Sequence, residues 1–95
     1  MKILVINGPN LNMLGKREPH IYGNATLDDL ISFIKDTFRE NFEIEFFQSN
    51  HEGEIIDKLH EASDIFDGVV INPGAFSHYS YAIYDAIKSI NINCV

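Results

Sequence analysis

A chain of 95 residues has room for one small domain, residues 1–95, because a domain usually takes about 100–200 residues. Apolar residues make up 45% of the chain and include seven Phe, enough to fill a core, so we expect a folded domain. Fourteen acidic against seven basic residues give a net charge of −7, which repels phosphate and anionic lipid and argues against nucleic-acid and membrane partners. A single cysteine, Cys94, excludes an internal disulfide and a zinc cluster.

The first predicted element is a strand at residues 2–6. This short apolar run ends at Asn-Gly-Pro, a pattern typical of a central strand buried on both faces. The run is too short for a signal peptide or a bilayer span, so we expect a cytoplasmic protein.

A helix and an edge strand are predicted next. Thr26 and Asp29 match a capping box, which places a helix from there to about residue 40. Its apolar face is formed by Leu27, Leu30, Ile31, Ile34 and Phe38. The following residues alternate Phe42, Glu43, Ile44, Glu45, Phe46, which indicates a strand with one wet face, suited to a sheet edge.

The rest of the chain repeats the alternation of helix and strand. Helical spacing of apolar residues predicts a second helix around residues 55–62 and a third around residues 82–90. Between them, residues 68–71 predict a buried strand. Residues 92–95 begin a fourth strand, in which we expect Cys94 to be buried.

Alternating strands and helices predict an α/β fold with a doubly wound parallel sheet. An edge-like second strand beside buried first and third strands fits the flavodoxin-like order 2-1-3-4, whose ligands bind where strands one and three end. Two amide-rich turns, residues 7–10 and 72–75, should therefore face each other across a crevice. No helix follows the fourth strand, so either a partner covers that edge or the chain is incomplete.

Residues 7–24 form a long connection without the hydrophobic periodicity of a helix or a strand. Such long connections are often functional loops or lids. Arg17 and Tyr22 lie in it with Pro19 between them, and a nearby guanidinium favours the phenolate that a tyrosine base requires. The alternative is a surface Arg and a Tyr that packs the loop onto the domain.

Amide side chains are the other candidates in the two turns. Asn10 and Asn12 could hold a water or an oxyanion, and Asn72 offers the same chemistry from the facing turn. Asn is also common in turns because its side chain bonds the local backbone, so a structural role stays open for each. His78, where the third helix is expected to begin, is either a site residue or a locally bonded helix-entry residue.

Other groups carry weaker signals. His51, Glu52 and Glu54 do not form HExxH, and no further ligand is evident, so no metal is expected. His60 is expected on an exposed helix face. We interpret the tyrosines near the third helix as packing or interface residues, namely Tyr79, Tyr81 and Tyr84. GxSxG, Walker A and GxGxxG are absent from the sequence.

Three collinear segments resemble the type II 3-dehydroquinate dehydratases: NGPNLNMLGKREPHIYG (residues 7–23), QSNHEGE (48–54) and NPGAFSH (72–78). The resemblance implies a flavodoxin-like protomer, assembled as trimers into a dodecamer, that works without metal or cofactor. Its substrate would be 3-dehydroquinate, dehydrated to 3-dehydroshikimate in the shikimate pathway of aromatic amino acid biosynthesis. The elimination of water would be anti and pass through an enolate.

The resemblance also implies catalytic roles for three residues of this chain. Tyr22 would be the general base that removes the proton alpha to the ketone, and Arg17 would favour its phenolate. Asn10 would hold the water that stabilises the enolate.

Three further residues would bind substrate by the same resemblance. Asn72 and His78 would bind its hydroxyls, and Asp85 would reach into the site of a neighbouring subunit.

The resemblance also implies a segment beyond Val95: a fourth strand with Glu-x-His, whose His would be the general acid, then a last strand and helix. We therefore expect a form incomplete at its C-terminus, lacking that last strand and helix, with little or no activity alone. The alternative to the enzyme is a catalytically incomplete flavodoxin-like binding or assembly module. A third possibility is an enzyme acting on another small cyclic keto acid.

Overall fold

The computed structural model describes residues 1–16, 20 and 23–95. Its strands are β1 (Lys2–Asn7), β2 (Glu43–Gln48), β3 (Gly68–Asn72) and β4 (Asn93–Cys94). Its α-helices are α1 (Leu27–Phe38), α2 (Glu52–Ile65) and α3 (Tyr81–Ser89). Two short 3₁₀-helices lie at Leu11–Met13 and Gly74–His78. The predicted strands and α-helices are thus confirmed, with boundaries shifted by a few residues.

The four strands form a parallel sheet in the order β2-β1-β3-β4. The flavodoxin-like order predicted from the sequence is therefore confirmed, with β2 at an edge. Asn7, the last residue of β1, is in register with Gln48 of β2 on one side and with Asn72 of β3 on the other. Three polar side chains consequently meet at the carboxyl edge of the sheet.

Helices cover both faces of the sheet. Consecutive residues of β2 show this, since strand side chains alternate between faces: Lys35 of α1 lies 5.6 Å from the Phe46 ring centre and Lys58 of α2 lies 5.4 Å from that of Phe47. The main core forms on the α2 and α3 side; its buried members are Leu4, Ile6, Ile55, Leu59, Ala62, Phe66, Val69, Ile83 and Ala86. The molecule is therefore doubly wound, as expected.

The face of the sheet that carries α1 is only partly covered. Ile3 and Val5 are half-buried and Val70 is 45% exposed, so the prediction that β1 and β3 are buried on both faces is wrong. These three side chains line an apolar groove of about 350 Å³ together with Ile34, Phe38, Phe42 and Ile44. α1 contacts the β2 edge of this face through Lys35 and Phe46, and Val70 stays open to solvent within the described part of the chain.

Side-chain caps fix where two of the helices begin. Thr26 accepts a hydrogen bond from the Asp29 amide at 3.1 Å, and Asp29 accepts one from the Thr26 amide at 2.9 Å, so the predicted capping box is confirmed. Ser80 caps α3 by accepting from the Ile83 amide, and its hydroxyl donates to Glu52 at the start of α2. The starts of α2 and α3 are thereby joined.

Two connecting segments contain short 3₁₀-helices. The connection over residues 7–24 contains the 3₁₀-helix Leu11–Met13, closed by Met13 N–H donating to the Asn10 carbonyl at 2.9 Å. His78 does not begin the third helix; it ends the 3₁₀-helix Gly74–His78, because the Ser80 cap starts α3 at Tyr81. Within the described ranges no helix has the length and apolar character to cross a bilayer.

Candidate functional site

The turns that follow β1 and β3 pack directly against each other. Gly8 N–H donates to the Asn72 carbonyl at 2.8 Å, and a Cβ on Gly8 would lie 2.5 Å from the Pro73 carbonyl oxygen. Gly74, with φ of +60°, approaches Pro9 so closely that a Cβ there would lie 3.0 Å from the Pro9 carbonyl oxygen. Only glycine fits these contacts, so the facing turns predicted from the sequence form one tight junction at the switch point of the sheet.

Asn10 leaves this junction in the left-handed backbone conformation, with φ of 69°. Asn tolerates this conformation better than most residues, but the fold must still hold it there. The Asn10 N–H donates to Asn50 Oδ1 at 3.0 Å, and the Asn10 carbonyl accepts from Met13 N–H. The side chain of Asn10 is exposed at the carboxyl edge.

Gln48 connects the edge strand to the same turn. Its Nε2 donates to the Gly8 carbonyl at 3.1 Å and to Asn50 Oδ1 at 3.2 Å, and lies 3.4 Å from Asn12 Oδ1. An amide nitrogen carries two hydrogens, so the two nearer acceptors match its capacity. We call Asn10, Asn12, Gln48 and Asn50 the amide cluster.

The geometry of Asn72 fits both a structural role in the turn and a role in ligand binding. Its Oδ1 accepts from Gly74 N–H at 3.2 Å, which is the turn chemistry expected of Asn. The residue is nevertheless exposed, at the end of β3 and in register with Asn7. The side-chain nitrogen is therefore the part of Asn72 available to bind a ligand oxygen.

His78 lies beside the start of α3 in a surface groove of about 290 Å³. The groove is lined by Ser77, His78, Tyr79, Ser80, Tyr81 and Tyr84. Tyr79, Tyr81 and Tyr84 are 61%, 86% and 62% exposed, and only Tyr79 has a stacking partner in the described chain, the Phe76 ring at 5.7 Å. So much exposed aromatic surface on one helix entrance favours an interface over internal packing.

Asp85 lies on the exposed surface of α3, one turn after Tyr81 and three residues before Lys88. Lys88 itself sits over the Tyr84 ring at 5.3 Å. The structure thus puts Asp85 on the tyrosine-rich surface of α3 and not among the amide cluster.

Arg17 and Tyr22 lie outside the described residues. The ends of their segment are described, and these ends meet: a Cβ on Gly15, which has φ of +79°, would lie 2.6 Å from the Asn24 carbonyl oxygen. Gly15 and Asn24 are therefore adjacent, and Asn12 lines one surface pocket with Lys16 and Thr26.

The acidic residues at the start of α2 have structural partners. Glu54 accepts from the Ser49 hydroxyl, and Glu52 accepts from the Ser80 hydroxyl. Over the ranges described, no three His, Cys, Asp or Glu side chains are grouped to hold a metal ion. His60 is exposed on α2, as predicted.

The sheet order and the glycine-tight junction define the class of protein: a flavodoxin-like α/β protein with an amide-lined crevice where β1 and β3 end. The family model described as Dehydroquinase class II matches residues 1–95. This chain belongs to the class II dehydroquinase family.

Individual relatives agree with this assignment. The chain is 62% identical over 93 residues to the 3-dehydroquinate dehydratase of Thermotoga neapolitana, covering 97% of this chain and 63% of the relative. It superposes on the type II dehydroquinase of Butyrivibrio crossotus with a TM-score of 0.93 and 57% identity, covering 99% of this chain and 67% of the other. For the Propionibacterium acnes type II dehydroquinase the TM-score is 0.89 at 45% identity, over 98% and 65% of the two chains. The chain thus spans about 63% of the length of the curated relatives it matches.

Gln48 and Asn50 were not singled out by their chemistry in the sequence. The predicted crevice lies at the ends of strands one and three, whereas these residues end and follow the edge strand β2. The available signal was the parallel order itself, because it brings the carboxyl end of the second strand beside that of the first.

Proposed function

We propose that this chain carries the substrate crevice and the proton-abstracting machinery of a type II 3-dehydroquinate dehydratase, a hydro-lyase of the shikimate pathway in the cytoplasm. The observation that carries the proposal is the junction of the β1 and β3 turns, which presents neutral amides at the switch point in a chain of the dehydroquinase family. Residues 1–95 act as one flavodoxin-like domain, and no metal or cofactor enters the reaction.

The reaction begins with removal of a proton alpha to the substrate ketone. Tyr22 takes this proton as its phenolate, which the Arg17 guanidinium favours because a nearby cation stabilises the charged form. The electrons of the C–H bond move toward the carbonyl and give an enolate. Asn10 holds a water that donates a hydrogen bond to the enolate oxygen, and such preorganised donors are effective where negative charge develops.

Collapse of the enolate expels the hydroxyl group beta to the ketone, which takes a proton from a solvent water molecule and leaves as water, while the Tyr22 phenol returns its proton to solvent. The product is a conjugated enone, 3-dehydroshikimate. Asn72 and His78 hold the substrate hydroxyls during these steps. This assignment is supported by the exposed positions of Asn72, the last residue of β3, and His78, in the 3₁₀-helix that follows.

The proposal includes a homo-oligomer of trimers that form a dodecamer, in which Asp85 reaches the site of a neighbouring subunit. Its support is the position of Asp85 on α3, whose surface also exposes Tyr81 and Tyr84. Aromatic residues are enriched in protein interfaces, while exposed ones on a monomer have little to contact.

The test is to mix the purified chain with 3-dehydroquinate and to follow the ultraviolet absorbance of the enone. Because the sequence predicts little activity from this chain alone, we expect only a slow rise in absorbance. The rate should be lower still by at least about 100-fold in Tyr22→Phe, the usual scale for loss of a general base. Ser32→Ala, which also removes one exposed hydroxyl but on α1, is the control and should react like the unchanged chain. Binding of 3-dehydroquinate without turnover would support the binding or assembly module instead, and absence of both would overturn the proposal.

A further inference from the structure

We propose that Gln48 and Asn50, at the end of the edge strand β2, are positioning residues that hold Asn10 in its left-handed conformation and so aim its side chain into the crevice. The inference rests on the proposed function only for its effect on the reaction. Its structural part concerns the amide cluster alone.

The backbone N–H of Asn10 is held by a side chain and not by a neighbouring strand. Asn10 lies beyond the end of β1, so no strand pairing holds its N–H, and its partner is the side-chain oxygen Asn50 Oδ1 at 3.0 Å. A left-handed non-glycine residue persists when its surroundings hold it there. The hydrogen bond from Asn10 to Asn50 is therefore one of the contacts that keep Asn10 in this conformation.

The side chain of Asn50 is in turn held by Gln48. Asn50 is exposed, but its Oδ1 also accepts from Gln48 Nε2 at 3.2 Å. The same Nε2 donates to the Gly8 carbonyl at 3.1 Å, which also accepts a longer bond of 3.4 Å from Leu11 N–H. Gln48 is half-buried and in register with Asn7, so its side chain is anchored by the sheet.

The turn that follows β1 is held by contacts from both neighbouring strands. On the β3 side, Gly8 is fixed by its bond to the Asn72 carbonyl and by its contact with Pro73. On the β2 side, Gln48 and Asn50 supply the bonds just described. Loss of the β2 side leaves the junction in place but frees the part of the turn that carries Asn10.

Four variants separate these contacts. Gln48→Glu keeps the shape but has no N–H to donate, and Gln48→Met removes the donor without adding charge. Asn50→Ala removes the shared acceptor, whereas Asn50→Asp keeps an oxygen at that position and is the matched control. The direct measurement is hydrogen exchange of the Asn10 amide by NMR in the 95-residue chain.

We expect exchange of the Asn10 amide to become about 2- to 10-fold faster in Gln48→Glu, Gln48→Met and Asn50→Ala, the range set by loss of one typical hydrogen bond. Asn50→Asp should exchange like the unchanged chain, and the amides of β1 should be unaffected in all four. Unchanged exchange of the Asn10 amide in Gln48→Met would overturn the proposal. Faster exchange in Gln48→Glu alone would also overturn it, because this would show an effect of the added charge and not of the lost donor.

Turnover of 3-dehydroquinate gives the functional readout. Because the Asn10 water would act on the enolate, we expect kcat to fall about 10-fold in Gln48→Met with KM within about 2-fold. A purely structural role would lower stability without this split. If the unchanged chain shows no turnover, the proposed function fails for it, and Asn10 exchange alone decides whether Gln48 and Asn50 position the turn.

Discussion

Gly8→Ala tests the contact on which the candidate site depends. The new Cβ would lie 2.5 Å from the Pro73 carbonyl oxygen and 2.6 Å from its carbon, whereas ordinary contact begins at 3.4 Å. Both neighbours are backbone atoms, so no side chain can rotate away. The β1 and β3 turns must therefore separate by about 0.9 Å at this point.

The separation has two energetic consequences. Overpacking a close contact typically costs about 1–3 kcal/mol. The Gly8 N–H, now 2.8 Å from the Asn72 carbonyl, would be pulled beyond hydrogen-bonding range at a buried position, where an unpaired group costs about 1–3 kcal/mol. Since relaxation relieves part of each, we expect a loss of about 2–4 kcal/mol in the free energy of unfolding.

Urea denaturation followed by far-ultraviolet circular dichroism measures this loss. For a chain of this size it corresponds to a midpoint lower by on the order of 1–3 M. Gly53→Ala is the matched control, because nothing lies within 4 Å of its Cβ position in α2 and the change should stabilise by about 0.5–1 kcal/mol. A Gly8→Ala midpoint within about 0.5 M of the unchanged chain, which is below the smallest expected shift, would contradict the close contact.

Three further predictions follow from packing, capping and titration. Leu59→Ala, at a fully buried core position in α2, should cost about 2–5 kcal/mol in urea unfolding, against at most about 1 kcal/mol for the half-exposed Ile65→Ala; equal losses would contradict the described core. Thr26→Ala should cost about 1 kcal/mol and Thr26→Ser much less, since only the hydroxyl makes the cap, and a neutral Thr26→Ala would refute the capping role. Burial raises the pKa of the Cys94 thiol, so its alkylation rate should rise with pH at a higher midpoint in the folded chain than in the urea-unfolded chain. The stability that the neutral thiol adds should be present below the pKa of the unfolded state and be lost as pH rises through the pKa of the folded state. Coincident alkylation midpoints would contradict this.

The fold was largely predictable because local signals agreed with one another. The Thr26 and Asp29 capping box, the alternation from Phe42 to Phe46 and the helical spacing after His51 each predicted the element that forms. The edge position of the second strand then selected the sheet order, since its outward acidic residues could not be buried. Exposure of Val70 was not predictable in the same way, because a strand's own apolar run does not tell which half of a face a helix will cover.

The position of the candidate site was predictable from the sequence, but its hydrogen-bond network was not. The turns that begin at Asn7 and Asn72 were expected to face each other, and they do. The hydrogen bonds of Gln48 and Asn50 depend on register and side-chain geometry, which no period or spacing encodes. Likewise, His78 ends a 3₁₀-helix because Ser80 caps α3, a competition between two nearby signals that the sequence left open.

The proposed function requires that the crevice at the ends of β1 and β3 binds 3-dehydroquinate. The most direct test is a titration of the ¹⁵N-labelled chain with this compound, followed by amide chemical shifts in NMR. We expect saturable shifts concentrated at Asn10, Asn12, Asn72 and His78, with the exposed face of α1 unchanged. Shifts confined to other surfaces, or none up to millimolar concentrations where even weak binding of about −4 kcal/mol would register, would contradict it.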